Sequence, residues 1–351
     1  MSDAGRPLLT DDFDYDLPSW AIAQAPVEPR DSCRLLVVDR RSGQVDHRTF
    51  TDLPDYLREG DLLVVNETRV IPARLRGHKE ESGGAVEVLL LRERYADTWE
   101  CLVKPGRRLR PGAHIVFGDG DLTGFVVDLV EGTGGRLIKF TASKGSFLAA
   151  VHRLGEMPLP PYITRPLEDP SLYQTIFAKD ERSAAAPTAG LHFTTELTER
   201  LTSQGVGVAM VELDVGLDTF RSVAEDDPRE HSMHQEHFRV PEGTATRVAE
   251  ARRGGGRIVA VGTTSVRALE SAVDDETGEV SAREGMTSLF VLPGHRFSAV
   301  DGLVTNFHMP RSTLLMMVSA FAGRDAVLTA YRIALEEGYR FLSFGDAMLI
   351  I

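Results

Sequence analysis

Cysteine is nearly missing from this 351-residue sequence: only Cys33 and Cys101 are present. Two distant thiols cannot build a disulfide framework, a four-thiolate zinc site or the three-cysteine cradle of an iron–sulfur cluster. A reducing, cytoplasmic setting is expected. Long apolar runs are also lacking. TLLMMVSAFAG at 313–323 is too short to cross a bilayer and reads as a buried helix, so no membrane association is expected. The opening MSDAGRPLLTDDFDYD is acidic and does not read as a signal or transit peptide. Neither a G-x-x-x-x-G-K-[ST] loop nor a G-x-G-x-x-G turn after the first strand occurs, so the common nucleotide-binding fingerprints are excluded. Positive charge is scarce as well. With 39 Lys/Arg against 52 Asp/Glu the net charge is −13, which argues against a general nucleic-acid binder.

What is there is ordinary globular material, 42% hydrophobic and 26% charged, so compositional disorder is not expected. The charge is unevenly spread. Residues 66–150 hold 13 basic and 11 acidic residues, a near-neutral segment inside a strongly acidic frame. If a polyanion binds, this segment, with Lys104, Arg107 and Arg108, is one place to look.

That middle segment reads as all-β. AVEVLLLRE, TWECLVK, HIVFG, LTGFVVDLV and RLIKFTA are short apolar runs divided by Gly, Pro and charge. In TWECLVK, Trp99, Cys101 and Val103 share one face. Five or six such strands predict a small antiparallel barrel. The second half alternates helix and strand: helix 194–205, strand 206–213, a helix over 241–256, strand 257–264, helix 265–273, runs at 288–294 and 303–307, helices 312–322 and 325–337, and a last strand at 341–350. Alternation of this kind predicts an α/β domain with a mostly parallel sheet and flanking helices. RLLVVD (34–39) and DLLVVN (61–66) supply its missing strands. The expected organisation is an α/β domain from residues 1–65 and 151–351, interrupted by an inserted β-barrel domain at 66–150.

Polar residues crowd where these strands end, in NETRVIPARL (66–75), AAPTAGLHF (185–193), HSMHQEHF (231–238), VGTTSVRALES (261–271), TNFHMPRST (305–313) and FGDAM (344–348). Strand ends are where open α/β sheets bind ligands. Each block also has a plain structural reading: Asn66 and Thr68 as turn caps, Arg69 in an ion pair, one of Thr263, Thr264 or Ser265 as a helix cap, and His192 or His308 as satisfied core histidines. His231, His234 and His237 recur at intervals of three, but no fourth ligand is indicated and no metal is expected.

At these blocks the sequence resembles the S-adenosylmethionine:tRNA ribosyltransferase-isomerases from end to end. The resemblance runs through FDYDLP (13–18), IAQAPVEPRDSCRLL (22–36), NETRVIPARLRG (66–77), PLPPYI (158–163), YQTIFAK (173–179), AAPTAGLHF, VGTTSVRALES, LVTNFHMPRSTLLMMVSAFAG (303–323) and YRFLSFGDAMLI (339–350). It implies an α/β domain with an inserted barrel and no metal or redox cofactor. It implies transfer and isomerisation of the ribosyl part of S-adenosylmethionine onto 7-aminomethyl-7-deazaguanine in tRNA, giving epoxyqueuosine-tRNA, adenine and methionine. The chain is taken to act as a monomer.

That chemistry asks for a base to take the C5′ proton acidified by the sulfonium, a donor for the departing adenine, and a cation or helix start for the methionine carboxylate. The residues matched to these tasks are His192 or His308 as acid/base, Arg267 with Thr263 and Thr264 for a carboxylate or phosphate, Asp14 and Asp346 for the cation, and Asn66 and Asn306 for a base edge. Arg69 is a further substrate-binding candidate. The sequence departs from the family pattern in LDVGLDTF (213–220), where Asp214 stands for the usual histidine and Asp218 for the usual glycine. Asp214 is therefore a catalytic candidate of its own. A divergent relative using the same donor on another deazapurine acceptor is the competing expectation.

Overall fold

Leu62–Asn66 and Ile258–Val261 are buried at every position, the signature of strands covered on both faces. They lie side by side at the centre of a nine-stranded sheet. The computed structural model describes residues 7–130, 134–216 and 222–351. Asp218 falls outside the described residues.

In chain order the strands are β1 (Arg34–Val38), β2 (Val45–Thr49), β3 (Leu62–Asn66), β4 (Thr68–Val70), β5 (Arg74–Lys79), β6 (Ala85–Tyr95), β7 (Thr98–Lys104), β8 (His114–Phe117), β9 (Leu122–Val130), β10 (Gly135–Ala142), β11 (Gly155–Glu156), β12 (Asp180–Ser183), β13 (Gly207–Leu213), β14 (Glu236–Val240), β15 (Ile258–Val261), β16 (Arg283–Thr287), β17 (Gly302–Asn306) and β18 (Ala347–Ile350). The helices are α1 (Phe147–Leu154), α2 (Thr195–Ser203), α3 (Glu242–Arg253), α4 (Gly262–Ser271), α5 (Thr313–Ala322) and α6 (Arg324–Glu336).

The large sheet has the order β16-β14-β13-β3-β15-β17-β18-β1-β2. It is mixed, which corrects the expectation of a mostly parallel sheet. β13, β3, β15 and β17 run parallel, and so do β18 and β1. β17–β18, β1–β2, β13–β14 and β14–β16 are antiparallel. The physical reason lies in the connections. A single crossover helix returns a strand parallel. Between β17 and β18 the chain instead makes two helices, α5 and α6, bent by 112° at a break that contains Gly323. β1 and β2 are joined by a tight turn rather than a helix. Among the described residues no single helix is long and apolar enough to cross a membrane; only the bent α5–α6 pair passes that test jointly.

Two element expectations also change. The run at 288–294 is not a strand; β16 precedes it at 283–287. The last strand begins only at Ala347, because 340–346 forms a loop in which Leu342 takes a positive φ of 70°. α2 follows the expected pattern: the Thr194 side chain accepts from the Leu197 amide, and Gly205 beyond its end has a φ of +81°.

The chain divides into two compact units, residues 1–68, 161–179 and 187–351, and residues 69–160 and 180–186. The first boundary thus lies three residues beyond the expected one and the second ten residues beyond. In the second unit β5-β6-β7-β10-β9-β8 close into a six-stranded antiparallel barrel through the β5–β8 pairing. Its core holds Trp99, Cys101, Phe117, Ile138 and Phe140, with Val103 packed against it, so the inward face of TWECLVK is the one that its alternation indicates. Glu100, on the other face, is buried under Arg92 and Arg94.

Candidate active site

Parallel strands with matched register deliver their carboxyl ends to one edge. Val211 pairs with Asn66, Ala260 with Val64, and Val261 with Val304. The loops after β13, β3, β15 and β17 therefore leave from the same side of the sheet, and with them Asp214, Asn66, Gly262–Thr264 and Asn306–His308. The antiparallel β18 contributes its beginning to that edge, since Asn306 pairs with Ala347. The start of β1, with Cys33 just before it, arrives alongside through the Leu35–Ala347 pairing.

His192 and Asn306 are brought together there. Asn306 Nδ2 donates to His192 Nε2 at 3.0 Å and to the Leu342 carbonyl at 3.2 Å, while its Oδ1 accepts from Thr188 Oγ1 at 3.0 Å. His192 Nδ1 faces Cys33 Sγ at 3.2 Å. Burial, with Arg30 and Arg340 adding to it, holds His192 well below its usual pKa and therefore neutral. Burial pushes the Cys33 thiol up to about 12, so it is no thiolate. Both ring nitrogens of His192 are thus engaged inside the protein.

His308 is placed differently. Its Nε2 lies 2.7 Å from Thr305 Oγ1, its amide donates to Tyr331 Oη at 3.0 Å, and its carbonyl accepts from Tyr15 Oη. No hydrogen bond engages Nδ1 among the described residues. Burial alone pushes the imidazole down to about 3. His308 lines a small cleft in which Tyr162, Thr188, Asn306, Ser312 and Ser343 share the wall with Phe307 and Leu342. Tyr162 Oη is 2.8 Å from Ser343 Oγ.

α4 starts three residues earlier than its sequence pattern suggested, directly from β15. None of Thr263, Thr264 or Ser265 acts as its cap. Ser265 Oγ bonds back to the Val261 carbonyl at 2.8 Å, and the first turn carries no side-chain cap. Thr263 and Thr264 are buried in that turn, and Thr264 Oγ1 has no partner among the described residues. Gly262 is required at the start: its φ is +86°, and a side chain there would press on Ala189.

Arg267 sits one turn further along, 3% exposed, in an ion pair with Glu236 and donating to the Leu289 carbonyl at 3.1 Å. Burial pushes the Glu236 carboxyl up, but Arg267, His234 and the Gly216 amide outweigh it and hold it at about 2. His231, His234 and His237 do not converge. Each faces its own carboxylate, Glu225, Glu236 and Glu284, at 2.9, 2.9 and 3.0 Å.

The remaining candidates are dispersed. Asn66 Nδ2 donates to the Leu213 carbonyl at 2.9 Å and its Oδ1 accepts from the Thr68 and Leu213 amides, which ties β3 to β13. Asp346 accepts from the Arg34 and Arg340 amides at 2.9 and 2.7 Å and so anchors the loop before β18. Asp14 is exposed, one residue before the Tyr15 that rests on His308. Asp214 is partly exposed, its carboxylate 3.7 Å from His237 Nδ1. Arg69 belongs to the barrel unit, where it lies 3.4 Å from Glu181. Thr188, Cys33, Tyr15, Tyr162 and Ser343 were not singled out from sequence. The signal for all five lay in strings already noted, AAPTAGLHF, IAQAPVEPRDSCRLL, FDYDLP, PLPPYI and YRFLSFGDAMLI.

The sequence profile described as "Queuosine biosynthesis protein" matches residues 10–350. The chain belongs to that family. The S-adenosylmethionine:tRNA ribosyltransferase-isomerase of Symbiobacterium thermophilum is 58% identical over 97% of this chain and 99% of its own length. Its namesake from Moorella thermoacetica is 54% identical over 97% and 99%. The crystal structure of the S-adenosylmethionine tRNA ribosyltransferase of Thermotoga maritima covers 97% of this chain and is itself covered completely, with 42% identity and a TM-score of 0.56. Family membership thus extends across both compact units and the whole strand-end edge.

Proposed function

We propose that this protein is an S-adenosylmethionine:tRNA ribosyltransferase-isomerase. It moves the ribosyl moiety of S-adenosylmethionine onto 7-aminomethyl-7-deazaguanine in tRNA and isomerises it, giving epoxyqueuosine-tRNA, adenine and methionine. The observation that carries this reading is the near-complete, high-identity match to relatives of that name. The protein works in the cytoplasm as a monomer. The reaction draws on no metal or redox cofactor, because the sulfonium itself supplies both the acidified C5′–H and the leaving group.

The strand-end edge supports a division of labour. His308 lines the cleft with an Nδ1 that no hydrogen bond engages among the described residues, and on that geometry it is the group we assign to take the C5′ proton. His192 has no nitrogen to spare, and we assign it to positioning Asn306. Thr188 Oγ1 and the remaining lone pair of Asn306 offer acceptors to an exocyclic amino group of adenine or of the deazaguanine. The uncapped first turn of α4, with Thr263 and Thr264, suits the methionine carboxylate. Asp214, partly exposed just after β13, and the exposed Asp14 are the carboxylates we assign to face the sulfonium, whereas both oxygens of Asp346 are held by backbone amides.

The test is incubation with S-adenosylmethionine and deazaguanine-bearing tRNA, followed by nucleoside mass analysis. Adenine and methionine should appear together, only with the modified tRNA, alongside epoxyqueuosine. Adenine release without acceptor would indicate a hydrolase. Consumption of the donor with a free deazapurine, but not with tRNA, would favour a divergent relative and give Asp214 its significance.

A further inference from the structure

Resting on that reading, we propose that the barrel loop from Lys104 to Arg110, clamped from beneath by Arg136, is the surface that receives the phosphate backbone of tRNA. Lys104, Arg107, Arg108 and Arg110 are all exposed. None makes an ion pair among the described residues, although Glu87 stands opposite Lys104 in the β6–β7 register. From Lys104 to Gly118 the sequence contains no Asp or Glu. Elsewhere in the same unit cations are neutralised: Arg92 and Arg94 on Glu100, Arg76 on Glu156, Arg69 beside Glu181. Four uncompensated charges within seven residues repel one another, and in a chain of net charge −13 their concentration needs a reason.

Arg136 supplies the second observation. Its guanidinium is buried yet meets no carboxylate among the described residues. It donates instead to four backbone carbonyls, those of Leu109 and Gly106 at 2.5 Å, Gly134 at 2.7 Å and Gly135 at 2.9 Å. These bonds hold the loop in one conformation and leave the positive charge uncancelled beneath it. The loop is therefore ordered before any partner arrives, which lowers the entropic cost of binding. Its far end is pinned to β9 by Gly112 N–H to Val126 O and Val126 N–H to Ala113 O, at 2.8 and 3.0 Å. Next to that junction the Phe125 ring is 40% exposed, with His114 at 5.0 Å and Lys139 opposite in register. Cations beside an exposed ring match a nucleic acid, whose phosphates take the charges and whose unpaired bases stack.

The experiment measures binding of labelled deazaguanine tRNA from 50 to 300 mM salt (about that range), together with adenine release and the half-saturating S-adenosylmethionine concentration. R107Q/R108Q/R110Q is expected to weaken tRNA binding about tenfold to a hundredfold and to make the log–log salt slope shallower by about 2 to 3, because each lost phosphate contact removes about 0.7–0.9. R107K/R108K/R110K should restore both, and half-saturation by the donor should stay at the wild-type value. R136M keeps all four surface cations but frees the loop; its tRNA affinity should fall while the slope changes by less than about 1. Unchanged tRNA affinity and slope in R107Q/R108Q/R110Q, with adenine release by the wild type intact, would overturn the docking surface and leave the enzymatic reading standing. Wild-type protein that binds tRNA through this loop yet releases no adenine would instead sink the enzymatic reading alone.

Discussion

The side-chain amide of Asn306 decides which nitrogen of His192 carries the proton. Nδ2 must be the atom facing Leu342, because a carbonyl accepts only from a donor, and the same Nδ2 faces His192 Nε2. Nε2 is then the acceptor, and the proton sits on Nδ1 beside Cys33 Sγ. A chain from Cys33 through His192 and Asn306 to Thr188 links the start of β1, the 188–192 turn and the end of β17. Replacing His192 by Gln should raise the half-saturating substrate concentration while leaving the pH profile of turnover in place. Disappearance of a pH-profile limb in that variant would return His192 to proton transfer.

His308→Ala should cut adenine release at least about a hundredfold, the size of a lost general base, with the fold intact by circular dichroism. His308→Gln should not recover it, since an amide does not accept the proton. Retention of more than about a tenth of wild-type turnover in His308→Ala would exclude the assigned role.

Stability should depend on pH through the same histidines. The folded-state pKa of His308 lies near 3, below its ordinary 6.5, and that of His192 is also depressed. Below about 6.5 the unfolded chain binds protons that the folded protein refuses. Each buried neutral histidine thus removes about 1.4 kcal/mol of stability per pH unit as pH falls from 6.5 toward its folded value. Glu236, held at about 2, adds a further loss as pH falls below about 4.5. Urea unfolding midpoints at pH 7, 6, 5 and 4 check this, and the decline between 6 and 5 should be shallower in His308→Gln.

The Arg267–Glu236 pair is buried on both sides, so Arg267→Ala strands a carboxylate in the interior. A loss of about 3–5 kcal/mol is expected, read by urea unfolding, with much of it recovered in Arg267→Met/Glu236→Leu. A folded, fully stable Arg267→Ala that binds the donor poorly would place Arg267 on the substrate instead.

Asp214→Ala should lower turnover on the deazaguanine tRNA about tenfold or more while the protein stays folded by circular dichroism, because its carboxylate is partly exposed and lies 3.7 Å from His237 Nδ1. Full activity in that variant would make the carboxylate a spectator.

Much was legible in the sequence because it depends on local pattern. Alternation in TWECLVK sets the inward face of the barrel strand; Thr194 and Gly205 mark the ends of α2; buried runs at 34–38 and 62–66 are the sheet strands; and the polar blocks mark the strand ends. The start of α4 was misjudged because Thr263, Thr264 and Ser265 are all good caps in isolation, and only the positive φ of Gly262 lets β15 pass straight into the helix. Tertiary structure alone decided strand direction. Whether one helix or two separates β17 from β18 determines which edge the chain returns to, and that return carries Leu342 and Ser343 to the end of β17. The same holds for His192 and His308. Each is a histidine next to a phenylalanine in the sequence, and only the partners supplied by distant segments leave one with both nitrogens occupied and the other with Nδ1 unengaged beside the cleft.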